Sequence, residues 1–243
     1  MAINVVEAFI RPQHTDQWFP NSADFCLTDE FRALIMDPSP DESTITEESF
    51  RAIQSCLPEA ANKWRLSQDS SLLEILPDTE KWPAEDMSGG TRDAPTRLEL
   101  ATTFFSCKTC LGRDTVYLSK NKSSKKKVPP HPIGYPRILA HQCLNDTRSQ
   151  FSDDDPNFEI LSKMVFMRKL PWNLRGDRIK FHTAASIIAH NVVTACGKDP
   201  AVITASEMDE QDVRVECRRC SNRTDSRRLV MTWRIAVCTN GSR

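Results

Sequence analysis

A chain of 243 residues is long enough for one large domain or two modest ones, since domains commonly hold about 150 residues. Hydrophobic residues make up 39% and five residues are Trp, so a packed core is expected and wholesale disorder is excluded. The longest uncharged run, residues 181–197, is too short and too polar to span a membrane, and no secretory leader is visible. We therefore expect an intracellular protein of the nucleus or cytoplasm, with no membrane partner, whose nine cysteines serve as thiols or metal ligands.

The net charge of −1 hides two halves of opposite sign. Residues 1–100 carry 8 Lys and Arg against 19 Asp and Glu, whereas residues 101–243 carry 24 against 14. Such an asymmetry indicates either that the halves dock onto each other or that the basic half meets an acidic partner.

The N-terminal part of the chain predicts an irregular arm followed by helices. Residues 1–45 contain several prolines and little periodicity, which is typical of an arm. Thr46 precedes an acidic first turn, and Pro58 suits the start of a second helix, so residues 46–90 predict a helical region. Residues 91–243 predict a zinc-binding α+β region. The fold class is therefore α+β, with a helical N-terminal part followed by a zinc-stabilised part with short strands and helices.

Four segments of the C-terminal part have recognisable patterns. The run RLELATTFF predicts a helix that leads into Cys107. Five lysines without an intervening apolar residue predict an exposed basic loop within residues 118–134. Residues 183–196 have apolar residues at helical spacing, and Gly197 stands where a helix C-cap belongs. Residues 213–237 predict a strand, a knuckle with two cysteines and a second strand.

The first metal motif begins with Cys107 and Cys110, a Cys-x-x-Cys pair. Two thiolates at this spacing bind one tetrahedral ion from a tight turn, with sulfur about 2.3 Å from zinc. If residues 139–143 are extended, His141 and Cys143 point to the same side and complete a closed Cys3His set. A thioredoxin-like redox pair is the main rival, but it needs a βαβ setting that is not evident around Cys107. Plain thiols are the remaining alternative.

A second motif places Cys217 and Cys220 between two predicted strands, with Cys238 as the obvious third ligand. The fourth ligand is not evident, and the candidates are His182, His190 and Cys196. The alternative is that Cys217 and Cys220 stay free or bind metal weakly. Trp233 is expected to pack beneath this knuckle.

A series of short motifs over residues 45–238 carries a resemblance to a known group. The motifs are Glu48–Leu57 with Pro58, Trp64-Arg65, LELATTFFSC, Tyr135-Pro136-Arg137, His141-Gln142-Cys143, Ala195-Cys196-Gly197, Met208-Asp209, Cys217-Arg218-Arg219-Cys220 and Met231-Thr232-Trp233-Arg234. In this order the chain resembles a large group of uncharacterised basidiomycete fungal proteins, some of which carry an F-box ahead of this region. The resemblance implies the fold and the metal content. The F-box link implies a substrate-binding part of a ubiquitin-ligase adaptor, although residues 1–45 contain no evident F-box.

These patterns favour a non-catalytic, zinc-stabilised protein-interaction module with an unidentified protein partner. A closed Cys3His set suits structural zinc, because catalytic zinc keeps one position open. The sequence contains no H-E-x-x-H, G-x-S-x-G or phosphate-binding glycine loop, and no zinc-deaminase pattern, so we do not expect an enzyme. The oligomeric state is not indicated.

The alternative function is a nuclear zinc protein that binds nucleic acid through two basic clusters. The clusters are Lys120, Lys122, Lys125, Lys126 and Lys127, and Arg218, Arg219, Arg223, Arg227, Arg228 and Arg234. Such residues neutralise phosphates and make binding strongly salt-dependent. The pattern of the lysine cluster also fits a nuclear import signal or a solvated loop.

Overall fold

The computed structural model describes residues 19–36, 48, 51, 53–77, 96–110, 131–145, 158, 161–162, 169–217 and 228–240. The chain divides into two compact units, the first made of residues 1–71 and 139–176 and the second of residues 72–138 and 177–243. Helices combine with short antiparallel strands, which confirms the predicted α+β class. Within the described residues, no helix has the length and apolar character that a membrane crossing requires.

In the part of the chain that the structure describes, the secondary-structure elements are short, apart from two helices. In chain order the α-helices are α1 (Ser22–Cys26), α2 (Asp29–Met36), α3 (Leu57–Ile75), α4 (Thr183–Ala195), α5 (Ala205–Glu210) and α6 (Trp233–Asn240). The strands are β1 (Phe104–Cys107), β2 (Ile133–Gly134), β3 (Ile179–Phe181), β4 (Arg214–Glu216) and β5 (Val230–Thr232). Among the described residues, 3-10 helices cover Gln54–Cys56, Arg137–Ala140 and Gln142–Asn145.

In the first unit, helix α1 is held by a capping box. The Asn21 side chain accepts from the backbone N–H groups of Ala23 (2.7 Å) and Asp24 (3.1 Å), and the Asp24 carboxylate accepts from the Asn21 N–H (2.9 Å). The same carboxylate accepts from the Trp172 N–H at 2.7 Å. Every residue of α1 is buried, so this five-residue helix is a core element rather than part of an irregular surface.

In the second unit, β1 is the central strand of a three-stranded antiparallel sheet of order β2-β1-β3. All four residues of β1 are buried, so both faces of the strand are covered. The predicted helix over RLELATTFF is therefore wrong. A helix would bring the rings of Phe104 and Phe105 to neighbouring positions, whereas a strand buries one ring on each face of the sheet.

The core of the second unit lies between helices α4 and α6. Trp233 and Val237 of α6 are buried with Ala185, Ala189 and Val193 of α4. The small alanine side chains leave room for the indole, which is 1% exposed, so Trp233 is a core residue of this unit. Its predicted packing beneath the second knuckle stays a prediction, because Cys220 lies outside the described residues.

The ends of α4 are capped by neighbouring residues. The Nδ1 atom of His182 accepts from the Ala185 N–H at 3.2 Å, which satisfies a free amide of the first turn. Gly197 has a φ of 71°, a left-handed conformation that suits glycine, and it follows the C-cap residue Cys196. The predicted glycine C-cap is thus confirmed.

The second half of the predicted strand–knuckle–strand is partly a helix. Strand β5 pairs with β4 in antiparallel register, with Val215 opposite Met231, but β5 ends at Thr232. The segment WRIAV then forms the start of α6. Its β-branched residues favour a strand, but Trp233, Ala236 and Val237 lie at helical spacing and are all buried, so tertiary packing determines the outcome.

Candidate metal centre

Cys107 and Cys110 lie at the end of strand β1 and in the helical residues that follow it. Cys107 pairs with Ile179 in the sheet, and the next residue, Lys108, donates its N–H to the Arg178 carbonyl at 2.8 Å. The sheet therefore fixes the backbone on both sides of Cys107. Residues 108–110 are helical and bring Cys110 back towards the end of the strand.

His141 and Cys143 come from a stretch that is not extended. His141 lies between the 3-10 helices Arg137–Ala140 and Gln142–Asn145, and Cys143 lies within the second of them. The condition of an extended segment over 139–143 is not met, because tight helical turns present both side chains instead. The Leu144 N–H donates to the His141 carbonyl at 3.0 Å, which holds this turn closed.

The structure brings these four side chains together. The three sulfur atoms and one imidazole nitrogen of Cys107, Cys110, His141 and Cys143 all lie within 4.8 Å of one another. A regular tetrahedron with zinc–sulfur bonds of 2.3 Å has edges of about 3.8 Å, so small side-chain movements would bring all four atoms onto one ion. Among the described residues, no other group of three or more His, Cys, Asp or Glu side chains is arranged in this way.

Exposure differs between the two sides of the cluster. Cys107 and Cys143 are buried, at 1% and 7% exposed, whereas Cys110 and His141 are half-buried. All four cysteine and histidine side chains offer atoms that bind soft or borderline metals, and none of the cysteines forms a disulfide. The cluster could therefore hold a metal ion with four protein ligands, shielded on one side by the protein.

The second predicted site is only partly described. Cys217 follows β4, and its N–H donates to the Leu229 carbonyl at 3.0 Å at the base of the β4–β5 hairpin. Cys238 lies in α6, where burial raises the pKa of its thiol against the opposing charges of Arg234 and Arg137. Cys220 lies outside the described residues, so a second site with Cys217, Cys220 and Cys238 stays a prediction.

The three candidates for a fourth ligand lie within α4 or at its ends. His182 is the N-cap, and its Nδ1 atom is already an acceptor for a backbone N–H. His190 is half-buried within the helix, and Cys196 is the C-cap residue. Burial raises the pKa of the Cys196 thiol, while the charge of Lys198 opposes this rise.

The basic clusters divide between described and undescribed residues. All five lysines of the 118–134 segment lie outside the described residues, as do Arg218, Arg219, Arg223 and Arg227. Arg228 is exposed. Arg234 is a structural cation, because it forms an ion pair with Asp209 and stacks on the Trp233 ring at 4.5 Å from its centroid. No sequence pattern predicts this pairing, because Asp209 and Arg234 are 25 positions apart along the chain.

No protein-family model, curated protein or solved structure matches the chain.

Proposed function

We propose that this chain is a non-catalytic protein-interaction module whose fold depends on a zinc ion held by Cys107, Cys110, His141 and Cys143. The observation that carries the proposal is the convergence of these four side chains within 4.8 Å. They come from two Cys- and His-containing motifs separated by a long basic segment, so their meeting is a property of the fold rather than of local sequence.

The donor set favours zinc over other common metals. Three thiolates and one imidazole are soft or borderline ligands, which suit zinc and do not suit magnesium or calcium. When bound, zinc would supply a rigid tetrahedral cross-link rather than a reactive centre. The residues of the chain fix its position: the β1–β3 pairing holds Cys107, and the 3-10 turns hold His141 and Cys143.

A structural role follows from the number of ligands. Four protein ligands close a tetrahedral zinc site, whereas catalytic zinc sites commonly have three and keep one position for water or substrate. A structural zinc ion contributes its binding free energy to folding. This supports the assignment of the chain as a module without catalytic activity.

We infer the interaction role from the apolar side chains that the second unit exposes to solvent. The second unit presents large aliphatic side chains to solvent, including Ile187, Val230 and Ile235, each at least 50% exposed. Contiguous exposed apolar surface marks protein-binding sites, and we propose that these side chains contribute to such a surface. Membership of the basidiomycete group, and through it a link to ubiquitin-ligase adaptors, is part of this proposal.

The alternative, a nuclear zinc protein that binds nucleic acid, is supported by the lysine cluster and by the excess of positive charge in residues 101–243. A titration of mixed DNA and RNA at increasing salt tests it. Binding with a steep salt slope would favour this function, since each neutralised phosphate releases counterions. Absence of binding at low salt would exclude it.

Thermal unfolding with and without a zinc chelator tests the structural role of the metal. We expect chelation to lower the melting temperature sharply, and Cys107→Ser to do the same without chelator, because either change removes the cross-link. Cys56→Ser is the matched control, since Cys56 is half-buried and does not belong to the cluster. Unchanged melting of the Cys107→Ser variant and of the chelated protein would refute the proposal.

A further inference from the structure

The cysteines of the candidate metal centre are not equally accessible to solvent. Cys107 and Cys143 are 1% and 7% exposed, whereas Cys110 is half-buried. Cys110 is therefore the cysteine of the cluster that a small solute in water reaches first. Cysteines that sense oxidants are solvent-accessible thiolates with a second cysteine close by. The position of Cys110 meets the first of these conditions.

Metal binding would keep the sulfur atoms of the cluster in their reactive form. A cysteine binds zinc as a thiolate, and the thiolate is also the form that reacts with peroxides. Burial has the opposite effect elsewhere in the chain: it raises the pKa of the Cys26 thiol to about 11, and it also raises the pKa of the Cys196 thiol. These two thiols are protonated at neutral pH. We therefore expect an oxidant to react with the cluster before it reacts with them.

A partner for an oxidised Cys110 lies in the same stretch of chain. The ligand atoms of the cluster are all within 4.8 Å of one another, so the sulfur atoms of Cys107 and Cys143 are both near that of Cys110. Only two residues separate Cys107 from Cys110, whereas Cys143 belongs to a distant part of the chain. A short loop costs less entropy to close, so Cys107 stays close to Cys110 when no metal is bound.

The local backbone fits a disulfide between these two residues. Pairing with β3 fixes the backbone at Cys107, which ends strand β1. The movement that joins the two sulfur atoms therefore falls on residues 108–110, a single helical turn. No other part of the sheet has to change.

We propose that Cys107 and Cys110 form a peroxide-sensitive dithiol, which hydrogen peroxide converts to a disulfide with loss of the zinc ion. This inference rests on the proposed zinc site and names a regulation of that site. The oxidised cluster keeps only two of its four ligands. Because a structural zinc ion contributes its binding free energy to folding, oxidation would weaken the fold of the module.

The reaction has two steps. The Cys110 sulfur attacks one oxygen of hydrogen peroxide, so that an S–O bond forms, the O–O bond breaks and hydroxide leaves. The Cys107 thiolate then attacks the Cys110 sulfur, an S–S bond replaces the S–O bond, and a second hydroxide leaves. The two sulfur atoms together lose two electrons, which reduce the peroxide, and two protons from solvent convert the hydroxides to water. The disulfide has lost the thiolate charges that bind zinc.

Hydrogen peroxide added to the full zinc-loaded chain tests the inference. Released zinc is followed with a colorimetric indicator in a Cys217→Ser parent chain, so that the predicted second site does not add to the signal. Trypsin cleaves after Lys108, between the two cysteines, so the disulfide joins two tryptic peptides that mass spectrometry identifies as a pair. We expect loss of the zinc ion together with this peptide pair in the wild type, and recovery of zinc binding after reduction.

Cys110→His in the parent chain replaces the reactive thiolate by an imidazole, which is also a zinc ligand. Each sample is compared by the fraction of its own bound zinc that peroxide releases. We expect release from this variant to be at least about tenfold slower than from the parent chain. Cys56→Ser is the matched control, because Cys56 is half-buried like Cys110 but does not belong to the cluster. Its release should equal that of the parent chain.

The zinc content before treatment separates this inference from the proposed function. If zinc is bound but peroxide does not release it, or if Cys110 pairs with Cys143, only the inference is overturned. Equal release from Cys110→His and the parent chain would also overturn it, and if that variant binds no zinc, the peptide pair in the wild type decides. A folded wild-type chain without zinc would overturn the metal centre and this inference with it.

Discussion

Asp209 and Arg234 form a two-pronged ion pair that joins helix α5 to the first turn of α6. The Arg234 Nε atom donates to both carboxylate oxygens, at 2.8 and 2.9 Å, and Nη2 donates to Oδ2 at 2.6 Å. The same carboxylate accepts from the indole N–H of Trp233 at 2.9 Å. A single acidic side chain thus satisfies a buried indole and fixes the guanidinium that stacks on it.

The first prediction concerns this ion pair. Asp209→Asn removes the charge that Arg234 faces, and we expect the free energy of unfolding to fall by about 1–2 kcal/mol, measured by urea denaturation. Asp212→Asn is the matched control, because Asp212 also pairs in two-pronged fashion with an arginine, Arg214, but both side chains are more than half exposed. Asp212→Asn should change the free energy of unfolding by less than about 0.5 kcal/mol. Equal effects of the two substitutions would contradict this account.

The second prediction concerns the pH dependence of stability at Asp24. Burial raises the pKa of this carboxyl to about 6 from an ordinary value of 3.8, against the opposing effect of hydrogen bonds from the Trp172 and Asn21 backbones. The folded protein therefore binds a proton more tightly than the unfolded chain does. This contribution to stability is complete below pH 3.8 and is lost as the pH rises through 6, by up to about 3 kcal/mol.

Asp24→Asn isolates that contribution. The variant has one acceptor oxygen fewer and is expected to lose stability at every pH, but it does not titrate. Chemical denaturation between pH 4 and 6, at constant zinc concentration, should show the wild type losing stability relative to the variant as the pH rises. A difference that is constant across this range would show that Asp24 keeps an ordinary pKa.

The third prediction concerns the end of helix α4. Gly197 has a φ of 71°, and a Cβ atom added there would meet no other atom within 4 Å. Gly197→Ala should therefore cost about 1 kcal/mol of unfolding free energy through backbone strain alone. Gly197→Asn should cost less, because Asn tolerates the left-handed conformation better than Ala does. Thermal melting compares the two variants. Equal melting temperatures of the Ala and Asn variants would contradict the account based on backbone strain.

The four residues of the candidate metal cluster were predictable because the chemistry of metal ligands limits the choice. Cys107, Cys110, His141 and Cys143 have the residue types and spacing that zinc sites use, and the structure brings all four together. The backbone that presents them was not predictable, since an extended strand and two 3-10 turns can both direct His141 and Cys143 to one side. A candidate metal cluster depends on the positions of the side-chain donor atoms, and several backbone conformations can bring those atoms together.

Other parts of the fold required tertiary information. The WRIAV segment is rich in residues that favour strands, yet it forms a helix because Trp233 and Val237 then pack on α4. Phe104 and Phe105 fall in a run that also fits a helix, and the choice of a strand depends on partners in β2 and β3 that are distant in sequence. Local features such as the Gly197 cap were predictable because their cause lies within a few residues.

Native mass spectrometry of the purified chain tests the central claim most directly. The wild type should carry zinc, and Cys107→Ser and Cys143→Ser should each carry one zinc ion fewer, while Cys56→Ser should keep the full complement. A second ion that Cys217→Ser removes would show that the C-terminal cysteines form a site of their own. A folded wild-type chain without zinc, or Cys107→Ser and Cys143→Ser variants with the wild-type zinc content, would contradict the claim that these four residues form a structural zinc site.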